Sequence, residues 1–278
     1  MFTLGRPSRG VTVFTYAVGV LALLLFLFPI FWMVLTSFKT TAQAITSVPI
    51  LVFTPTLENY REVLLGRNFL HYIQNSLVIG LVSTLLTLAL AVTVAYPLAR
   101  YKLKGDRHLT SWILSLRIIP PIVSVVPLYI IFSRVNLTDQ YPALIIMYTF
   151  MNLPLAVWML RGFFADIPRE LEEAALVDGS TPIGSFFRIA LPLVAPGLAA
   201  AGMLSLIFCW NEFLFANVLT AARTKTAPVG LTEYATPVSV LWTQIMAAGT
   251  VVVLPVIAMG VFIQRYLVRG LALGAVKG

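Results

Sequence analysis

The chain has 278 residues, of which 59% are hydrophobic and only 11% charged, with a formal net charge of +8. A typical soluble chain carries about 25% charged residues, so this composition excludes an ordinary water-facing domain and leaves lipid as the main solvent. The basic residues fall in short clusters between apolar runs, which is the pattern of membrane-protein loops and not of a nucleic-acid-binding face.

A hydrocarbon core needs about 20 predominantly apolar residues per helix. Six runs meet that length, at about 11–35, 72–99, 109–133, 140–164, 189–217 and 244–267. The first follows Arg6 and Arg9. It is longer than the roughly 7–15 residues of a signal-peptide core and no small-x-small cleavage site follows, so it reads as an uncleaved span. The third is uncharged apart from Arg117 in its first half. The expected fold class is an all-α integral membrane protein with six transmembrane helices, the membrane domain covering 11–267. Residues 1–10 would form a cytoplasmic N-terminus and 268–278 a cytoplasmic tail. With both ends inside, twelve basic residues lie on the cytoplasmic side and six outside, the bias that sets orientation. Outer loops are expected at 36–71 and 218–243, and a cytoplasmic loop at 165–188.

Prolines interrupt the spans at Pro29, Pro97, Pro120, Pro121, Pro127, Pro154, Pro196 and Pro255. Each internal one removes a backbone donor and kinks its helix. The polar residues inside or at the ends of spans are few. Arg117, Asn152, Asn211 and Glu212 are the candidates for pathway lining or gating, because intramembrane polar groups face a cavity or a partner. Snorkelling to the headgroups is the competing reading of Arg117, and interface anchoring or helix-to-helix packing that of Glu212 and Asn211. Cys209, the single cysteine, excludes an internal disulfide and a multi-cysteine metal site, and reads as a small packing residue. His71 and His108 lie at span boundaries.

The cytoplasmic loop concentrates the acids. Five of eleven, Asp166, Glu170, Glu172, Glu173 and Asp178, lie within thirteen residues. Pro168 suits a first helical position, the glutamates favour the positive end of the helix dipole, and Gly179 can take the left-handed conformation that ends the helix. A second short helix follows Ser180 and Thr181 with Pro182 at its start. Leu171, Ala174, Ala175 and Val177 would supply the apolar contacts of the first helix. No G-x-x-x-x-G-K-[ST] loop occurs, so the chain has no nucleotide cradle of that kind.

Glu173-Ala174-Ala175, then Gly179, then Ile189-x-Leu191-Pro192 resembles the cytoplasmic signature of ABC importer permeases. Asn59-Tyr60, Trp210-Asn211-Glu212-Phe213 and the ending Gly270-Leu271-x-x-Gly274-Ala275-Val276-Lys277-Gly278 resemble its carbohydrate branch, the second permease of the maltose-transporter type. The resemblance implies a subunit without catalytic residues, cofactor or metal of its own, in a bacterial or archaeal cytoplasmic (inner) membrane. It implies coupling to a separate ATPase through Glu173, Ala174, Ala175, Asp178 and Gly179. ATP and Mg would sit on two copies of that partner. A second homologous permease would complete the pore, and an extracytoplasmic solute-binding protein would deliver a sugar, oligosaccharide or polyol. The second outer loop would reach toward that binding protein, and the C-terminal tail toward the ATPases. A self-sufficient ion-coupled transporter is the alternative. It would need carboxylates or histidines as relays within the spans, and Glu212, near one end, is the only such group there.

Overall fold

The computed structural model describes residues 9–101, 104–235 and 240–275. Residues 1–8 of the expected N-terminus, Lys102, positions 236–239 of the second outer loop and the last three residues of the tail lie outside the described residues. Among the described residues the regular structure is helical, with one isolated antiparallel bridge between Ala235 and Val240. In chain order α1 covers Arg9–Ser37, α2 Thr41–Ala44 and α3 Glu58–Arg61. α4 covers Phe69–Arg100, α5 Asp106–Ser115, α6 Pro121–Arg134 and α7 Tyr141–Asp166. α8 covers Arg169–Val177, α9 Pro182–Ser185, α10 Leu191–Leu193 and α11 Ala195–Asn211. α12 covers Leu214–Leu219, α13 Ala227–Gly230 and α14 Trp242–Ala275.

Four of these are long and apolar enough to cross a membrane: α1, α4, α7 and α14. The third and fifth expected spans are not continuous helices. The third divides into α5 and α6, neither long enough alone, with Leu116–Pro120 between them. The cause is local: two adjacent prolines remove two helical donors and Pro121 disfavours helical ψ at Pro120, which sits at φ −60, ψ 126 while Pro121 starts α6. A double proline therefore breaks this segment where single prolines are carried inside α1, α4, α6, α7 and α14. The fifth segment bends by 68° between Pro182–Leu193 and Ala195–Asn211, and the pair makes a fifth crossing only if it is one span. It then stops at Glu212, whose ψ is 126.

The chain forms two compact units, one of residues up to 68 with 233–251, the other of 69–232 with 252 onward. In the first, the turn after α1 is pinned by Asn59. Its amide donates to the carbonyls of Ser37 (2.8 Å) and Lys39 (2.7 Å). The next residue, Tyr60, shares a 2.6 Å hydrogen bond with the Ser37 hydroxyl and packs its ring on Phe38. Lys39 is buried, its ammonium 4.5 Å from the Trp32 ring centre and 5.3 Å from that of Phe53, an arrangement in which the ring faces offset part of the lost hydration.

The second unit is built on α4, with α7 parallel and α11 antiparallel to it. Close approach needs small side chains, since lipid offers no hydrophobic drive to join apolar helices. α4 presents buried Gly80, Ser83, Thr84, Thr87, Ala91 and Ala95 at three- and four-residue spacing, and α11 presents Ala201, Ser205 and Cys209. A Cβ on Gly80 would lie 3.1 Å from Leu206, and one on Gly202 3.1 Å from Leu88, so these faces are already in contact. Around this seam lie two apolar clusters. One joins Ile79, Leu144, Met147, Cys209 and Phe215, the other Ala91, Val92, Val157, Leu160, Phe164 and Val194.

Candidate functional site

The segment after α7 folds as its local chemistry dictates. Pro168, extended at ψ 132, occupies the position just before α8 without a capping hydrogen bond, and the first helical residue is Arg169 rather than the proline. At the other end the N–H of Ser180 reaches the carbonyl of Ala175 and that of Gly179 the carbonyl of Leu176. Gly179 adopts φ +86, the left-handed conformation that closes such an end. The Thr181 hydroxyl then accepts from the Gly184 N–H at 3.0 Å and Pro182 begins α9.

The face that α8 buries differs from the expected one. Leu171 and Ala174 are exposed, Ala175 is half-buried, and Val177 is 87% exposed. The buried residue is Glu172. Its Oε1 accepts from Arg100 Nε at 2.7 Å, with Nη2 at 2.5 Å, and its Oε2 accepts from the Tyr96 hydroxyl at 2.6 Å. A buried acid is tolerated only when paired and hydrogen-bonded, and the α4 terminus supplies both. Glu172 takes the inward face because Arg100 and Tyr96 meet it there, while Leu171, Ala174 and Val177 lie elsewhere round the helix. Glu173, Ala174, Asp178 and Gly179 of the expected joint are all exposed, with Ala175 half-buried between them.

Glu172, Arg100 and Tyr96 were not singled out by the sequence as site residues. Arg100 and Glu172 lie 72 positions apart, and no local pattern links them. Behind them the Tyr96 ring meets Phe164 at 5.3 Å and Phe186 at 4.7 Å. The Ser185 hydroxyl makes a long 3.5 Å contact with the Glu172 carbonyl.

The four polar candidates share one place. Arg117, Asn152, Asn211 and Glu212 all line a cavity of about 580 Å³ bounded by α6, α7, α11 and the breaks beside them. Arg117 lies in the break between α5 and α6, its guanidinium 4.6 Å over the Phe208 ring. Asn152 is buried, donating to the Tyr148 carbonyl (2.9 Å) and to Cys209 Sγ (3.3 Å). Asn211 is exposed and donates to the Ile207 carbonyl at 2.8 Å. Glu212 accepts from the N–H groups of Phe215 (2.9 Å) and Ala216 (3.1 Å), so it caps α12. Neighbouring Trp210 is buried and donates to the Val252 carbonyl at 3.1 Å.

At the Asn75 end of α4 the segment 221–227 is tied down by groups that carried no sequence signal. Asp139 accepts from the N–H groups of Ala221, Arg223 and Thr224 and from the Thr224 hydroxyl. Burial acts to raise its pKa, but these donors outweigh it and hold the carboxyl below the usual carboxylate range. Asn75 donates to the carbonyls of Arg223 (3.1 Å) and Lys225 (2.9 Å) and accepts from Tyr141 at 2.6 Å. Among the described residues no group of three His, Cys, Asp or Glu is placed to hold a metal.

Comparison with known proteins places this architecture. The sulfoquinovosyl glycerol transport system permease of Agrobacterium fabrum is 39% identical over 255 residues, covering 91% of this chain and 89% of that one. The trehalose transport system permease of Mycobacterium tuberculosis is 38% identical over 260 residues, covering 91% and 93%. A crystal structure of a bacterial ABC transporter that imports the acidic polysaccharide alginate superposes with a TM-score of 0.80 at 22% identity, over 94% of this chain and 99% of that one. Its likeness is one of fold. Residues 87–273 match the family described as binding-protein-dependent transport system inner membrane component. The chain therefore belongs to that family of inner-membrane ABC permeases, transport subunits and not enzymes.

Proposed function

We propose that this chain is one half of the translocation pathway of an ATP-driven importer for a sugar, oligosaccharide or polyol, coupled to a separate ATPase through α8. The observation that carries the reading is the α8–α9 pair. It is a short helix pair closed by left-handed Gly179, displaying Leu171, Glu173, Ala174 and Val177 to solvent. Exposed apolar groups gathered on one short helix between spans fit a contact surface for a partner. The relatives named for sulfoquinovosyl glycerol and trehalose transport support a carbohydrate. A second permease would complete the pore and an extracytoplasmic binding protein would deliver the solute. A neighbouring structure is of an alginate transporter in complex with its periplasmic protein. Two ATPase copies would hold ATP and Mg.

In this reading the chain crosses six times with both termini in the cytoplasm of a bacterium or archaeon. α5 with α6 forms the third crossing and α11 with its bent approach the fifth. The 580 Å³ cavity is the share of the pathway that this subunit contributes. Phe208 offers a face for sugar C–H groups, Asn211 and Arg117 offer donors, and Glu212 holds the gate by capping α12. ATP binding closes the two ATPases, and α8 passes the motion to the spans by favouring one of two states.

The test is reconstitution in nanodiscs with the cognate permease, ATPase and binding protein. The ATPase is expected to copurify with the permease, and binding protein loaded with a sugar or polyol to raise ATP hydrolysis. Stimulation by amino-acid-loaded binding protein alone would overturn the substrate class. Absence of the ATPase from the complex would overturn the coupling.

A further inference from the structure

We infer that Arg100, Tyr96 and Glu172 form a latch that makes α8 a rigid extension of α4, so that Arg100 and Glu172 are positioning residues for coupling that never touch the ATPase. The inference rests on reading α8 as the coupling helix. It concerns how motion leaves that helix, not what the helix docks into.

Nine residues are too few for a helix to persist alone in water. What holds α8 in place is therefore tertiary, and its buried side chain is Glu172. Both carboxylate oxygens are committed to α4: Oε1 to the guanidinium of Arg100 and Oε2 to the phenol of Tyr96. The side chains of the ion pair are only 8% and 11% exposed. The planar guanidinium aims its Nε–H at Oε1 with Nη2 close to the same oxygen, which holds direction as well as distance where a lysine would not. The Tyr96 ring extends the joint, because it packs at once on Phe164 at the end of α7 and on Phe186 just beyond α9. A single node thus gathers α4, α7, α8 and the segment after α9. The outward groups Glu173, Ala174 and Val177 stay free for a partner.

Two interfaces follow from this on opposite sides of one short helix. The outer one binds, and the inner one transmits. A pivoting α8 would need an inner face that slides, with apolar residues at loose spacing. A paired, buried charge resists sliding, because separating the partners leaves each uncompensated.

The test uses spin labels at Thr93→Cys on α4 and Glu170→Cys on α8 in a Cys209→Ser background, with the ATPase bound, in nanodiscs. Both label sites are exposed. Double electron–electron resonance is expected to give one narrow distance, unchanged between the nucleotide-free and AMP-PNP–Mg states. Glu172→Gln and Arg100→Gln should broaden it, and the exchange Arg100→Glu with Glu172→Arg should narrow it again. Tyr96→Phe keeps the ring and removes only the hydroxyl, so it carries the test if a charge variant fails to fold, and it should broaden the distribution partially. A wild-type distance that shifts with nucleotide, or single variants that stay narrow, would overturn the latch. Copurification of the ATPase is read separately. Its loss from the wild type strikes the coupling reading, while the nucleotide-free distance still decides the latch.

Discussion

The indole of Trp210 on α11 donates to the carbonyl of Val252 on α14, one residue from the carbonyl that Pro255 leaves without its intrahelical donor. A proline inside a spanning helix is tolerated when neighbours serve the loosened backbone, and here the adjacent carbonyl accepts from a buried tryptophan. The Trp210-Asn211-Glu212-Phe213 motif is therefore at least half architectural, Trp210 tying two helices and Glu212 capping α12. Trp210→Phe keeps an aromatic ring but removes the N–H donor and the pyrrole half of the indole. It should cost about 1 kcal/mol and lower the melting temperature by about 2–4 °C in detergent-solubilised permease. Trp210→Ala should cost about 3–5 kcal/mol by adding a cavity. Equal melting temperatures for wild type and Trp210→Phe would show that Val252 does not depend on this bond.

Asp139 makes stability depend on pH with a defined sign. Its folded pKa is below its ordinary value because four donors favour the charged form over the cost of burial. Its contribution is therefore complete above the unfolded carboxylate value of about 3.9 and is lost as pH falls through the lower folded value. Asp139→Asn suits the same backbone, since Asp139 sits at φ 56 and asparagine tolerates that region. The variant should melt below wild type at pH 7, and the gap should narrow as pH falls below about 3.9. A gap that stays constant over that range would remove the charge from the explanation.

Gly197 sets how closely α11 approaches α7. A Cβ there would lie 2.4 Å from Cγ of the Phe163 ring, far inside contact distance. Gly197→Ala must push the ring or the helix away, and overpacking of this kind costs about 1–3 kcal/mol. A lowered melting temperature in Gly197→Ala, partly recovered when Phe163 is cut to Ala, which removes the Cγ and Cδ2 that the new Cβ would strike, is the expected result of a thermal-shift series.

Gly179 is a different case, because a Cβ there meets no atom within 4 Å. Its constraint is the φ of +86 alone. Gly179→Val should cost about 1–2 kcal/mol locally and leave the spans intact, while re-aiming the chain into α9. In the reconstituted importer the expected outcome is normal membrane insertion with binding-protein-stimulated ATP hydrolysis reduced several-fold. Glu173→Lys, on the exposed face beside it, should have the same effect through lost docking. Full stimulation in both variants would dissociate this segment from coupling.

The sequence determined what local chemistry and composition can express. Apolar runs too long for a soluble core announced the membrane. Pro168, Gly179, Thr181 and Pro182 marked the bounds of the helix pair to within a residue, because caps and left-handed turns depend on neighbours in the chain. The spacing from Glu173 to Pro192 pointed to the family. The double proline at Pro120–Pro121 was visible too, but its outcome as a break and not a kink depended on Pro120 being held out of the helical region. Tertiary structure alone decided which side of α8 is buried. Leu171 and Val177 were the reasonable choice by hydrophobicity, yet Glu172 is inward, because Arg100 and Tyr96 arrive from 72 and 76 residues away. It also decided that Arg117, Asn152, Asn211 and Glu212 border one cavity, and that Asp139 and Asn75 hold the segment around Arg223. Pairings of that kind leave no period or spacing in a sequence, since each depends on which helices the small-residue seam of α4 brings together.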